Sequence, residues 1–275
     1  MKIPAILIAC YFGFTAIAVS LHADVLTLQF DGGKVTSVVD GFNGMVGSGW
    51  ATAWAGSGSI GSRTITVENS DPLVSGGDNY FKMVSTSTGS SQSSFVQRRV
   101  VNDSVTGIDF NSDYTISFST RIEDITGGGV YFFGDNTSGL AGISSSNAWR
   151  ISALKDGQWT VGIGAGAQQL GMSLVTGVTY SISLQIDPLA KTYLVTIGNG
   201  VTSVSSTAIA YGSTSTGGEF LYFGAQGLNN TQSVTFDLDA INVASVSNIP
   251  EPASLAAYVG VFAIAVCVGI RCRRR

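Results

Sequence analysis

Between residues 24 and 247 the chain has no cysteine and no histidine; Cys10 and His22 come before this stretch, Cys267 and Cys272 after it. The absence rules out a disulfide framework there. It also rules out zinc, copper and iron sites built on imidazole or thiolate, and Ser-His-Asp and Cys-His catalysis. Glutamate is nearly missing too, with only Glu68, Glu123 and Glu219 in the stretch. Basic residues are few: nine Lys and Arg stand against seventeen Asp and Glu, so 9 − 17 = −8. A surface of that sign disfavours nucleic acid as a partner. With charged residues at 12% of the chain, the surface must be built largely from Ser, Thr, Asn and Gly. Aromatic and β-branched residues nevertheless recur throughout, which is not the composition of a disordered chain.

The two ends differ from the middle. "MKIPAILIACYFGFTAIAVSLHA" sets one cation, Lys2, before an apolar run and small residues. It reads as a secretory signal over residues 1–23, cut after Ala23; cleavage after Ser20 and an uncleaved anchor are the alternatives. Residues 253–270 are eighteen positions without charge. As a helix they span about 27 Å, just enough for a hydrocarbon core of roughly 30 Å. Arg271, Arg273, Arg274 and Arg275 follow, which places that end on the cytoplasmic side. Pro250 and Pro252 disfavour helix before them, so the span starts near Ala253. One domain, 24–247, lies between the leader and a tail of 248–275, long enough for a single core.

That domain has a period of two. "DYTISFSTRIED" alternates Tyr114, Ile116 and Phe118 with polar residues, and "TYSISLQID" does so with Tyr180, Ile182, Leu184 and Ile186. "TYLVTIGNG" puts Tyr193, Val195 and Ile197 on one face, and "SVTFDLDAINV" puts Val234, Phe236, Leu238 and Ala240 on one face with Asp237 and Asp239 opposite. Half-buried antiparallel strands produce this alternation. Shorter candidate strands are "VLTLQF", "RTITVE", "YFKMVS", "FVQRRVV", "GVYFFG", "WRISAL", "QWTVGI" and "FLYFGA". Turn chemistry separates them: Asp156-Gly157, Pro188 in "DPLAK", and Asn199-Gly200. No amphipathic helix is evident before the tail. The expectation is an all-β antiparallel sandwich, closed by sheet-on-sheet packing. Residues 31–62, rich in Gly and Ser but holding Trp50 and Trp54, read as a long surface loop pinned by its indoles. The run "GIGAGA" at 162–167 lacks the βαβ context of a dinucleotide loop and reads as a turn.

Two resemblances add to this. Pro250, Glu251 and Pro252, the short apolar span and the terminal arginines resemble the PEP-CTERM sorting class, over about the last 28 residues. The resemblance implies export in a Gram-negative-type bacterium, transient anchoring in the inner membrane, recognition of the tail by an exosortase-type enzyme, and a destination in the cell envelope or extracellular matrix. Separately, "VTYSISLQIDPLAKTYLVTIGNG" and the closing "VTFDLDAINV" resemble the concanavalin A-like, laminin-G-like jelly-roll family, across residues 80–245 or so. The Glu-x-Asp-x-Glu strand of jelly-roll glucanases is absent.

Trp50, Trp54, Trp149 and Trp159 are candidates for stacking on sugar rings; core packing is their alternative use. Asp237 and Asp239 share a strand face and are a candidate calcium pair, helped by Asp135-Asn136 or Asp31; simple solvation of that face is the alternative. Arg98-Arg99 reads as a strand pair with one side chain outward, on a solvated edge. The functional expectation is an exported, non-catalytic envelope or matrix protein with extracellular polysaccharide as candidate ligand and no catalytic residue. A carbohydrate-active hydrolase or lyase using Glu123 or Glu219, and a purely structural adhesion protein, are the alternatives.

Overall fold

The computed structural model describes the backbone of residues 25–28 and residues 51–246, except 53, 61, 75–79, 103–107 and 141. The leader, Trp50, Asp31 and the tail, with its expected span at 253–270, lie outside the described residues. Among the described residues no helix is long and apolar enough to cross a membrane.

Two antiparallel sheets face one another. The first is built on β6 (Tyr114–Ile125), β11 (Thr179–Asp187), β12 (Thr192–Gly198) and β16 (Ser233–Ser245). β3 (Ser62–Glu68) and β4 (Tyr80–Thr86) complete one side, and β13 (Ser203–Ser205) and β14 (Ile209–Ala210) the other. Its order is β13-β12-β11-β6-β16-β4-β3, with β14 also on β12 and β1 (Val25–Leu28) also on β16. The second sheet runs β10-β9-β8-β7-β15-β5-β2. Its strands are β2 (Ala55–Gly58), β5 (Gln92–Arg99), β7 (Gly129–Asp135), β8 (Trp149–Leu154), β9 (Gln158–Val161), β10 (Gln168–Ser173) and β15 (Phe220–Leu228).

Alternation decides what each strand buries. Along β6, Tyr114, Ile116 and Phe118 go to the core while Thr115, Ser117 and Ser119 face out. The inner faces meet in an aromatic layer. Phe118 lies edge-on to Phe132 at 5.3 Å and to Phe223 at 5.2 Å, and Trp159 packs on Tyr180 at 5.1 Å. Such pairs add about 0.5–1.5 kcal/mol each beyond the area they bury.

β16 departs from the expected pattern. Val234, Phe236 and Leu238 are buried as predicted, but Ala240 sits in a bulge with φ +50°. The pairing with β6 slips by one residue between Asp239 and Asn242, so Ile241 and Val243 fill the core beyond it. One extra residue reverses which parity points inward. The stretch 31–62 is not all loop either: residues 55–58 pair with β5 as an edge strand. Trp54 does pin the segment, 5.4 Å from Phe81 and 6.0 Å from Phe223. The turn after β8 is centred on Lys155-Asp156 rather than Asp156-Gly157, because the Gly157 N–H bonds Leu154 O and Asp156 takes the positive φ.

A smaller cluster lies on the outer face of the second sheet. Phe95, Phe133 and Tyr222 are buried there, with Leu140 and Ile143 from the β7–β8 connection packed against them. Tyr222 donates its hydroxyl to Thr137 O. Gln97 and Gln226 accept the Gly139 and Ile143 N–H groups at 2.8 and 2.9 Å. Asp135 ties both ends of this loop, accepting from Thr137 N–H, Ser146 Oγ and Asn147 Nδ2. The centre of this outer face is therefore covered by the chain itself.

Replacing Trp159 by alanine is expected to lower unfolding stability by about 3–5 kcal/mol, whereas Thr160→Ala, pointing outward from the same strand, stays within about 0.5 kcal/mol. Urea unfolding of both variants measures the contrast.

Candidate functional site

The described tryptophans proposed for sugar stacking are core residues. Trp149 and Trp159 are fully buried and Trp54 is 2% exposed. An indole face covered on both sides by protein offers nothing to a sugar, so these three are corrected to packing roles. Trp50 lies outside the described residues.

Asp237 and Asp239 do not make a calcium site with Asp135. No group of three or more acidic, histidine or cysteine side chains that could hold a metal occurs among the described residues. Asp135 is on the other sheet, its carboxylate committed to the loop contacts above. Asp237 is fully buried although it faces away from the core. Its partner is a guanidinium: Arg121 donates from Nε and Nη2 to Asp237 Oδ2 at 3.1 and 2.8 Å. Arg121 also binds Asp71 Oδ2 at 2.6 Å and Asp71 O at 3.2 Å, pairs with Glu123, and lies 5.6 Å from the Tyr80 ring. Cross-strand pairing sets this up, since Lys82, Asp237 and Arg121 stand in one register row on three adjacent strands. Asp239 is 7% exposed and its Oδ1 accepts the Ala240 N–H at 2.6 Å, holding the bulge.

Both glutamates of the hydrolase alternative are bound by arginines. Glu123 joins the Arg121 cluster, while Glu219 takes two bonds from Arg99, at 2.8 and 3.1 Å, and one from Asn102 at 2.6 Å. Arg98 is not on a solvated edge. It points inward, fully buried, with Nε donating to Thr52 O at 3.0 Å, and burial lowers its pKa to about 10.

A recess that sequence reasoning did not single out lies on the outer face of the first sheet. Its cavity volume is about 490 Å³. Three triplets on adjacent strands form it: Asp113-Tyr114-Thr115, Gln185-Ile186-Asp187 and Thr192-Tyr193-Leu194. In each, the middle side chain is buried and its two neighbours face out. The register aligns Thr115 with Gln185 and Gln185 with Leu194, and Asp187 with Thr192. The result is a grid of six outward side chains, about 10 Å across the strands and about 7 Å along them. Two carboxylates and the Thr192 hydroxyl stand at one end, and the Thr115 hydroxyl, the Gln185 amide and the apolar Leu194 at the other. Val246 closes one side, its N–H on Asp113 O at 2.8 Å, and Asp187 Oδ1 accepts the Ala190 N–H at 2.7 Å. The lining holds two carboxylates and no basic side chain. The neighbouring Tyr211 phenol is pushed up to about 12, chiefly by burial, with the charges of Asp187 and Asp113 adding to it.

No family model matches this chain, and no curated protein does. Among solved structures, it is similar to a legume lectin-like domain from Entamoeba histolytica: 13% identity, 77% of this chain and 100% of that one, TM-score 0.44. It is similar to lectin II from Ulex europaeus at 15% identity, over 70% of this chain and 97% of that one, TM-score 0.39. It is also similar to the catalytic domain of a glycoside hydrolase family 131 protein from Coprinopsis cinerea at 11% identity, over 74% and 85%, TM-score 0.47. At these identities the likeness is one of architecture, and no residue role passes across it.

The Arg121 cluster gives a pH dependence. Burial, then a hydrogen bond with Glu123, raises the Asp237 pKa from 3.8 to about 7, against the opposing pull of Arg121 and Lys82. The folded chain thus keeps a proton that the unfolded chain has already lost. Its contribution is whole below the ordinary carboxylate range and is lost as the pH climbs through about 7. Tm is expected to fall between pH 5 and pH 8, where no histidine of residues 24–247 can contribute. Asp237→Asn is expected to flatten that slope in a calorimetric pH series.

Proposed function

We propose that this protein is an exported, non-catalytic glycan-binding module of the cell envelope or extracellular matrix, and that it holds polysaccharide in the recess on β6, β11 and β12. One observation carries the reading: six outward side chains, five of them held in register by three paired strands and Asp113 placed just before β6, combine acceptors, an amide and an apolar patch on a footprint of sugar size. Carboxylates accept hydrogen bonds from neighbouring sugar hydroxyls, Gln185 both donates and accepts, and Leu194, 40% exposed, faces the C–H side of a ring. Such sites are mostly apolar with a few placed polar groups. Two carboxylates in a negative field favour a neutral glycan over a uronate or sulfated one.

The leader and tail support export. β1 pairs antiparallel with the end of β16, Val25 opposite Ala244. The junctions with both terminal segments, near Val25 and Val246, therefore leave the sandwich at one pole. That suits a domain tethered through its tail, with Pro250, Glu251, Pro252 and the terminal arginines as the sorting signal read by an exosortase-type enzyme.

On a glycan array the chain is expected to bind neutral glycans without releasing product. Asp187→Asn and Asp113→Asn each weaken binding by about 10–100-fold, the value of a hydrogen bond to a charged group. Binding to neutral glycans that survives both substitutions contradicts the site. Oligosaccharide release that disappears in Glu123→Gln or Glu219→Gln establishes the hydrolase instead.

A further inference from the structure

A second recess of about the same volume, 490 Å³, opens at the opposite pole. It lies on the seam between the sheets, where the connections β6–β7, β8–β9 and β10–β11 meet. Asp124, Thr126, Lys155, Asp156, Leu174 and Val175 line it. Backbone bonds at the ends of each sheet fix its walls. Leu174 N–H bonds Gly157 O at 2.9 Å, Lys155 N–H bonds Gly128 O at 3.3 Å, and Gly177 N–H bonds Ile122 O at 2.9 Å.

Like the first recess it offers two carboxylates, two threonine hydroxyls, from Thr126 and Thr176, and apolar surface from Leu174 and from Val175, which is 52% exposed; it differs in holding Lys155 and no amide. Asp156 is almost fully exposed, and Lys155 is half exposed and 4.0 Å from it, so both reach a ligand at little cost in desolvation. The two recesses bracket one strand. Asp113 and Thr115 stand at the start of β6, Asp124 and Thr126 at its end. Thr115 and Asp124, their nearest residues on β6, stand roughly 30 Å apart along the strand, further than one or two sugar rings extend.

We propose that a single sandwich is bivalent, holding one neutral polysaccharide segment at each pole, and so cross-links polysaccharide strands without needing a second copy of itself. This rests on the glycan-binding reading above. Two sites fixed at opposite poles of a rigid domain cannot both close on one short segment, so the bound state is a bridge between strands or between distant parts of one strand.

Equilibrium dialysis of the full chain, in a sugar-free detergent, against cellohexaose, maltohexaose and mannohexaose reads the stoichiometry. Two bound hexasaccharides per chain are expected for at least one of the three. Asp113→Asn with Asp187→Asn removes one, and Asp124→Asn with Asp156→Asn removes the other. Both double variants are checked for unchanged circular dichroism and Tm. Mixing the wild-type chain with the matching polysaccharide is expected to give turbidity that either double variant abolishes. One bound hexasaccharide, lost with Asp113→Asn and Asp187→Asn but indifferent to Asp124→Asn and Asp156→Asn, overturns bivalence and leaves the glycan reading standing. Failure of all three hexasaccharides to bind counts against the glycan reading itself.

Discussion

The two-residue alternation of β6 is the constraint on which the molecule turns. β6 sits inside the first sheet, with β11 on one side and β16 on the other. Its inward residues anchor the aromatic layer through Phe118. Its outward residues include Thr115 near one end, just after Asp113, and Arg121 and Glu123 near the other, where a register shift against β16 turns the adjacent Asp124 outward as well. Shifting its pairing by one residue would turn every one of these to the wrong side. With no disulfide available in the domain, hydrophobic burial and the sheet ladders must hold that register.

Charge is used sparingly, and the buried Asp237 is paired with Arg121. Arg121 gathers Asp71, Glu123 and Asp237 on the outer face of the first sheet, although two of these partners lie 50 and 116 residues away in sequence. Removing Arg121 would strand a buried carboxylate, a loss of about 3–5 kcal/mol. The carboxylates in the two recesses behave differently. Asp113, Asp124 and Asp156 are exposed, and Lys155, 4.0 Å from Asp156, is itself half exposed. A protein with so few charges that leaves acidic side chains open in two recesses has acceptors ready for hydroxyl-rich ligands.

The strands with clear alternation, β6, β11, β12 and most of β16, were legible in the sequence because apolar and polar residues trade places there at every step. β2, "AGSG", and β10, "QQLGMS", were not. Both are edge strands with few apolar side chains, and pairing rather than pattern defines them. The bulge at Ala240 was hidden for a similar reason, since nothing in "LDAIN" announces an extra residue until β6 is laid beside it. Tryptophan misled in the opposite direction: its size suits sugar faces and cores equally, and only the partner sheet decides. The Asp113–Asp187 recess needs three strands at once, with its triplets more than 70 residues apart between Asp113 and Gln185. Each triplet alone reads as ordinary alternation; chemistry appears when the register aligns them.

The most direct measurement is a crystal structure of the chain soaked with a neutral oligosaccharide that it binds in solution. The account predicts sugar density across Thr115, Gln185 and Leu194, with ring hydroxyls within hydrogen-bond distance of the Asp113 and Asp187 carboxylates. Density confined to the outer face of the second sheet, around Tyr131 and Ser152, with this recess empty, would contradict it.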